Sequence, residues 1–75
     1  MEIGRAVVTR VNGPVVEVSV GEGLAMLDLV HVGPQRLPGE VIALAGTTAT
    51  LQVYEYTGGL KPGDMVRGTG GPLDE

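Results

Sequence analysis

Few side chains in this chain can do chemistry: one histidine, nine carboxylates, five cations and two tyrosines, with no cysteine. His31 would need convergent ligands or a carboxylate partner to bind metal or move protons. Asp28 lies three residues before it, and in a strand that spacing puts the two on opposite faces. An exposed or edge-strand histidine is the expected role. Glu40 and Glu55 are the right type for an acid–base pair, but nothing in their spacing brings them together, and solvated strand faces account for both. The glycine clusters Gly21-Glu22-Gly23, Gly58-Gly59 and Gly68-Thr69-Gly70-Gly71 have the composition of phosphate cradles. A cradle requires a following helix N-terminus with free N–H groups. None follows, and the G-x-x-x-x-G-K-[ST] phosphate loop is absent from the sequence. The expectation is a chain with no catalytic residue, no cofactor and no metal.

Tyr54 and Tyr56 are the only aromatic side chains. Placed two apart in a strand they share a face, where they can stack bases or anchor an interface. The net charge is −4, and the bases Arg5, Arg10, Arg36, Lys61 and Arg67 are scattered. A nucleic-acid module of this size usually carries a basic face. No nucleic-acid partner is expected, and the tyrosines read as packing or interface residues.

The elements that would position these side chains are all extended. Ile3 to Val11 alternates with period two, setting Ile3, Arg5, Val7, Thr9 and Val11 on one mostly apolar face against Gly4, Ala6, Val8 and Arg10. Asn12-Gly13-Pro14 breaks it. Val15 to Val20 follows, with Val16, Val18 and Val20 pointing one way, and Gly21-Glu22-Gly23 ends it. Leu24 to Val32 is apolar enough for a short helix, but Val30-His31-Val32 and the flanking glycines favour a strand. A loop from Gly33-Pro34 to Pro38-Gly39 leads to a strand at Glu40 to Ala45. Gly46-Thr47-Thr48 then turns the chain into a strand at Ala49 to Glu55. Gly58-Gly59 stops that strand. Lys61-Pro62-Gly63-Asp64 has turn chemistry, proline presetting φ and glycine supplying positive φ. Met65 to Gly68 is a short sixth strand, after which Thr69-Gly70-Gly71-Pro72 closes the barrel or opens a linker. Gly13, Pro14, Gly46, Gly59, Pro62 and Gly63 are the structural turn residues. Six strands spaced about 8–12 residues apart with no helix describe a small barrel or sandwich. Closure pairs every strand edge, which suits so short a chain, and the expected fold class is all-β, a small six-stranded closed Greek-key-type β-barrel.

Residues 1–75 read as a single domain near the lower size limit for a self-sufficient core. Hydrophobic residues make up 43% of the chain but aromatics only 3%, so valine, leucine, isoleucine and alanine must fill the interior. The absence of cysteine fits a reducing compartment. No stretch approaches the ~20 apolar residues of a membrane span, and no signal-peptide pattern begins at Met1-Glu2-Ile3-Gly4-Arg5. The single lysine, asparagine, serine and histidine give a reduced alphabet, consistent with a thermophilic source or with a designed or consensus-derived sequence.

Ordered motifs run through the whole chain. Val53-Tyr54-Glu55-Tyr56-Thr57-Gly58-Gly59-Leu60, continuing to Thr69-Gly70-Gly71-Pro72-Leu73, resembles V-Y-E-x-T-x-G-L-x-x-G-x-x-V-x-x-T-G-x-P-L, the end of the N-terminal β-barrel in the catalytic A subunit of archaeal/vacuolar-type rotary ATPases. Gly4-Arg5-Ala6-Val7 through Gly13-Pro14-Val15-Val16 is similar to that family's first hairpin. Met26-Leu27-Asp28-Leu29-Val30-His31-Val32-Gly33, Leu37-Pro38-Gly39-Glu40-Val41-Ile42 and Ala49-Thr50-Leu51-Gln52-Val53-Tyr54-Glu55 match further pieces in order. The Gln-Val-Tyr-Glu and Met-x-Asp pieces favour the catalytic A type over its non-catalytic B relative. Three positions depart from the pattern: Tyr56 stands where the family usually has an acid, Gly58 where it has serine, and Leu27 where it often has tyrosine.

The resemblance implies a non-catalytic structural barrel that forms the crown of a hexameric ring and supports assembly of the ring. The parent complex would couple ATP synthesis or hydrolysis to proton transport. It implies neighbouring ATPase ring subunits for partners, a cytoplasmic location on the periphery of a membrane-associated complex, and no membrane insertion. The nucleotide-binding domain, with its phosphate loop, general base and metal site, is absent from this sequence, so no ATP hydrolysis carries over to any residue. Tyr54, Tyr56 and Leu60 are the interface candidates, and self-association of the isolated barrel is a further expectation. Two alternatives stand beside this reading. Leu60-Lys61-Pro62-Gly63-Asp64-Met65-Val66 resembles the L-K-x-G-D-x-V stretch of elongation-factor barrels, which suggests a translation-factor-like or oligonucleotide-binding barrel. A designed or reconstructed small barrel with no physiological role is the other.

Overall fold

In a computed structural model that describes residues 5–72, with the side chains of Glu22 and residues 69–72 left aside, every regular element is a strand. The elements are β1 (Arg5–Asn12), β2 (Val15–Glu22), β3 (Asp28–Val32), β4 (Leu37–Ala45), β5 (Thr48–Val53) and β6 (Met65–Pro72). They close into a barrel in the order β1-β2-β5-β4-β3-β6, with every neighbouring pair antiparallel. Strands β3, β4 and β5 run as hairpins, and β2 lies beside β5, so the four form a Greek key.

Alternation builds the core. Ala6 and Val8, Val16 and Val18, Val30 and Val32, Val41, Ala49, Leu51 and Val53, and Val66 all point inward and are buried. Every strand contributes, and valine dominates. An eight-stranded barrel has an interior just filled by side chains, so a six-stranded one is narrower still. A ring of valines around one leucine fits that bore, which is why the chain needs no Phe or Trp. Leu37, Leu60, Val11, Val20 and Leu24 pack against the core from its rims.

Two tight hairpins join neighbouring strands. Gly13 and Gly46 each occupy the first loop position, with φ of 61° and 62°. Pro14 and Thr47 follow them with ordinary backbone. Glycine first and a non-glycine second is the pattern of a type II′ turn, whose twist matches the strands. The Lys61–Asp64 turn is also as expected: Gly63 has φ 100°, and the Asp64 N–H donates to the Lys61 carbonyl at 3.1 Å.

The structure corrects several expectations. In β1 the buried residues are Ala6 and Val8, while Arg5, Val7 and Thr9 are exposed. A bulge at Thr9 then shifts the alternation so that Val11 returns to the core. Residues Leu24–Leu27 are not strand. Asp28 accepts from the Ala25 N–H (Oδ2, 2.8 Å) and donates its own N–H to the Ala25 carbonyl (3.1 Å), a local turn that competes with ladder pairing. β4 begins at Leu37, not Glu40. Pro38 pairs with His31 and uses only its carbonyl, which accepts from the Tyr54 N–H. Gly39 lies so close to β5 that a Cβ would stand 3.0 Å from the Gln52 carbonyl oxygen. Ile42 is the extra residue of a β4 bulge and is exposed, while Val41 is buried. β6 runs on to Pro72, which pairs with Asp28. Closure also removes any edge: His31 is half-buried on β3, flanked by β4 and β6.

Candidate interaction surface

The β5–β6 connection, residues 54–64, crosses one end of the barrel and carries all three interface candidates. β5 ends at Val53, so Tyr54 and Tyr56 do not share a strand face as their spacing suggested. Several bonds tie the crossing down. The Val53 N–H donates to the Pro14 carbonyl at 2.8 Å, and the buried Thr57 hydroxyl donates to the Gly13 carbonyl at 2.7 Å. The Val8 N–H donates to the Asp64 carbonyl and the Gly63 N–H to the Val8 carbonyl, each at 2.8 Å. Leu60 turns inward, half-buried on the core. Its Cδ2 lies 2.5 Å from where a Cβ on Gly33 would stand, so Gly33 leaves room for it.

The tyrosines face outward. Tyr54 is 55% exposed, and its hydroxyl donates to Glu40 Oε1 at 2.7 Å. That hydrogen bond stabilises the neutral phenol, with some desolvation and the nearby carboxylate charge acting the same way, so its pKa is raised from 10.0. Tyr56 is 87% exposed, and its ring lies over Gly58, where a side chain would collide with it. The two departures from the family pattern on this loop are therefore in contact: an aromatic ring at 56 uses the space that a glycine at 58 leaves open.

Glu55 is exposed, and Glu40 is engaged by Tyr54, not by Glu55. Among the described residues no group of three or more histidine or carboxylate side chains could hold a metal, and no buried side-chain polar atom lacks a partner. No helix among them is long and apolar enough to cross a membrane. Apolar exposure is also found at Met26 and Leu27, which bulge from the β2–β3 connection with Leu27 at φ 69°. The Leu27 N–H donates to the Val41 carbonyl at the β4 bulge. Sequence reading missed the Tyr54–Glu40 contact because the bulge at Ile42 moves the β4–β5 register by one residue, and nothing in the local sequence announces a bulge.

A match to the β-barrel domain of the ATP synthase alpha/beta family spans residues 8–70. The chain is 53% identical over 73 residues to the A subunit of the A-type ATP synthase of Methanothrix thermoacetophila, an alignment covering 97% of this chain and 12% of that relative. It is 51% identical over 67 residues to the catalytic A subunit of the V-type proton ATPase of Cyanidium caldarium, covering 89% of this chain and 11% of the relative. It is 58% identical over 66 residues to the corresponding protein of Trypanosoma congolense, covering 88% and 11%. The chain thus spans about one-eighth of the length of these curated relatives. The family match covers most of the sequence, and the chain belongs to the ATP synthase alpha/beta family as its β-barrel domain.

Proposed function

We propose that this barrel is a structural module of the A subunit of a rotary ATPase, placed in the crown of a hexameric ring to hold neighbouring subunits side by side. The parent complex would couple ATP synthesis or hydrolysis to proton transport, at the periphery of a membrane and on its cytoplasmic side. The barrel itself contributes no chemistry to that reaction.

One observation carries this reading: the two aromatic side chains project outward from a loop tethered across one end of a closed barrel. A surface held rigid before binding loses little entropy on association. Tyr54 and Tyr56 are the anchors in this proposal, and Leu60 supports them from beneath by fixing the loop to the core. Covalent or phosphoryl-transfer chemistry would belong to a nucleotide-binding domain outside this sequence.

The test is sedimentation of the chain mixed with a non-catalytic ring subunit of the same complex type. Co-sedimentation that weakens when Tyr54 and Tyr56 are both replaced by serine is the expected result. Absence of any complex, or a micromolar Mg-ATP site on the chain by calorimetry, would overturn the proposal.

A further inference from the structure

The tip of the first hairpin holds a dipeptide that can react with itself. Asn12 is the single asparagine of the chain and Gly13 follows it directly, while no aspartate precedes a glycine. Asparagine is thermolabile because the backbone nitrogen of the next residue attacks its carboxamide and closes a five-membered imide. A side chain on that next residue crowds the attack, and glycine has none. The space around Gly13 is open: a Cβ built there would meet no atom within 4 Å. Asn12 and Gly13 are both exposed, so water reaches the reacting atoms. Among the described residues the Asn12 carboxamide makes no hydrogen bond that would hold it away from the backbone.

The fold sets how this geometry is reached. Asn12 is the last residue of β1 and pairs with Val15 at the end of the β1–β2 ladder, and Gly13 lies in the loop beyond it. The attack requires Asn12 to leave its extended backbone conformation. Opening that one terminal pair permits the rotation while the rest of the barrel stays folded, and hairpin tips open at far lower cost than core strands.

We propose that Asn12-Gly13 is a site of spontaneous deamidation whose product loosens the loop that carries the tyrosines. The Gly13 nitrogen gives its proton to solvent base and bonds to Asn12 Cγ. The Cγ–Nδ2 bond breaks, and Nδ2 takes a proton and leaves as ammonia. Water then opens the imide at either carbonyl. Attack at Cγ gives aspartate. Attack at the backbone carbonyl carbon gives β-aspartate, whose main chain runs through Cβ and Cγ. No oxidant, reductant or cofactor enters. Both products place a negative charge at the tip, and β-aspartate also adds a backbone atom before Gly13.

That added atom matters because the tip anchors the neighbouring loop. The Gly13 carbonyl accepts from the buried Thr57 hydroxyl at 2.7 Å, and the Pro14 carbonyl accepts from the Val53 N–H at 2.8 Å. These bonds flank Tyr54 and Tyr56 on both sides. Lengthening the backbone just before Gly13 displaces both carbonyls. The reaction acts as a timer on the loop, set by solvent chemistry and not by an enzyme, and it does not depend on the ring role proposed above.

The experiment ages the folded chain in mildly alkaline buffer, beside a sample held unfolded in urea. Peptide mapping by mass spectrometry and enzymatic methylation of β-aspartate follow residue 12, and amide hydrogen exchange follows Val53. Time-dependent β-aspartate at residue 12 of the folded chain is expected, with faster exchange at Val53 in the aged fraction. Asn12→Gln alters an exposed side chain only, and it should keep the parent's thermal melt while losing the product. Freshly prepared Asn12→Asp carries the charge without the added atom and should exchange at Val53 like the parent. Complete conversion in urea with none in the folded chain would overturn the proposal, because the folded tip would then be closed to the attack. So would β-aspartate in the folded chain with unchanged exchange at Val53, or an equal rise in exchange in fresh Asn12→Asp.

Discussion

The Tyr54–Glu40 hydrogen bond couples a loop residue to the middle of β4, and its energetics are visible in a titration. The carboxylate holds the phenol protonated. Replacing Glu40 by glutamine removes the charge and weakens the acceptor, so Tyr54 should ionise at lower pH than in the parent, read from its ring ¹³Cζ resonance. The sign for stability follows from the raised pKa. The contribution is fully present below 10.0, where Tyr54 is neutral in both states, and is lost as pH rises through the folded-state value. Alkaline unfolding should therefore be less steep in Glu40→Gln. At Gly58 the expectation differs. A Cβ there meets only the mobile end of the exposed Tyr56 ring, so Gly58→Ala should change stability by less than about 0.5 kcal/mol while abolishing the ring's contacts with residue 58 in NOE spectra. The residue types with functional potential were readable without coordinates, and the two tyrosines do face solvent. Their neighbours were not readable, because Glu40 and Gly58 are brought to them by a bulge and an irregular loop, neither of which leaves a periodic trace.

At the level of elements, the turns test best. Gly13 and Gly33 both have positive φ, but only Gly33 also faces a side chain, Leu60. Gly13→Ala should cost about 1–2 kcal/mol, the backbone penalty alone. Gly33→Ala should cost more, and the excess should shrink in a Leu60→Ala background, a coupling that urea denaturation of the four variants in a double-mutant cycle measures. Strands β2 and β5 were legible because alternation and burial coincide there, Val16 and Val18 on one and Ala49, Leu51 and Val53 on the other. β4 and β6 were read too short because Pro38, Gly39 and Gly70-Gly71 look like strand breakers. In β4 the proline needs no donor and the glycine permits close approach to β5, so the same residues continue the strand. β3 was read too long, from Leu24 instead of Asp28, because apolar content does not distinguish a strand from an exposed turn held by Asp28.

For the whole molecule, the core is thin and shared. Leu51 is its largest fully buried side chain, and replacing it with alanine should cost about 2–5 kcal/mol by creating a cavity that neighbouring valines cannot fill. Domains this small have stabilities at the low end of roughly 5–15 kcal/mol, so Leu51→Ala should be largely unfolded at moderate temperature, checked by the midpoint of a thermal melt. Six short strands without a helix were legible from turn spacing, which left a barrel and a sandwich both open. The gathering of Arg5, Arg67 and His31 on neighbouring strands was not, because it depends on which strands meet at closure, and that order is a property of the ring as a whole. Closure takes place between the first and last strands, where Arg5, Ala6 and Val7 pair with Arg67, Val66 and Met65, a shorter ladder than the one along β1 and β2. The strands are antiparallel, and the leading end of β1 and the trailing end of β6 emerge on the same side of that ladder. Tension applied through the two ends of the chain would load these bonds one after another, as in a zip, instead of all together. The short β1–β6 ladder is therefore the barrel's mechanical weak point under a pull along its own backbone.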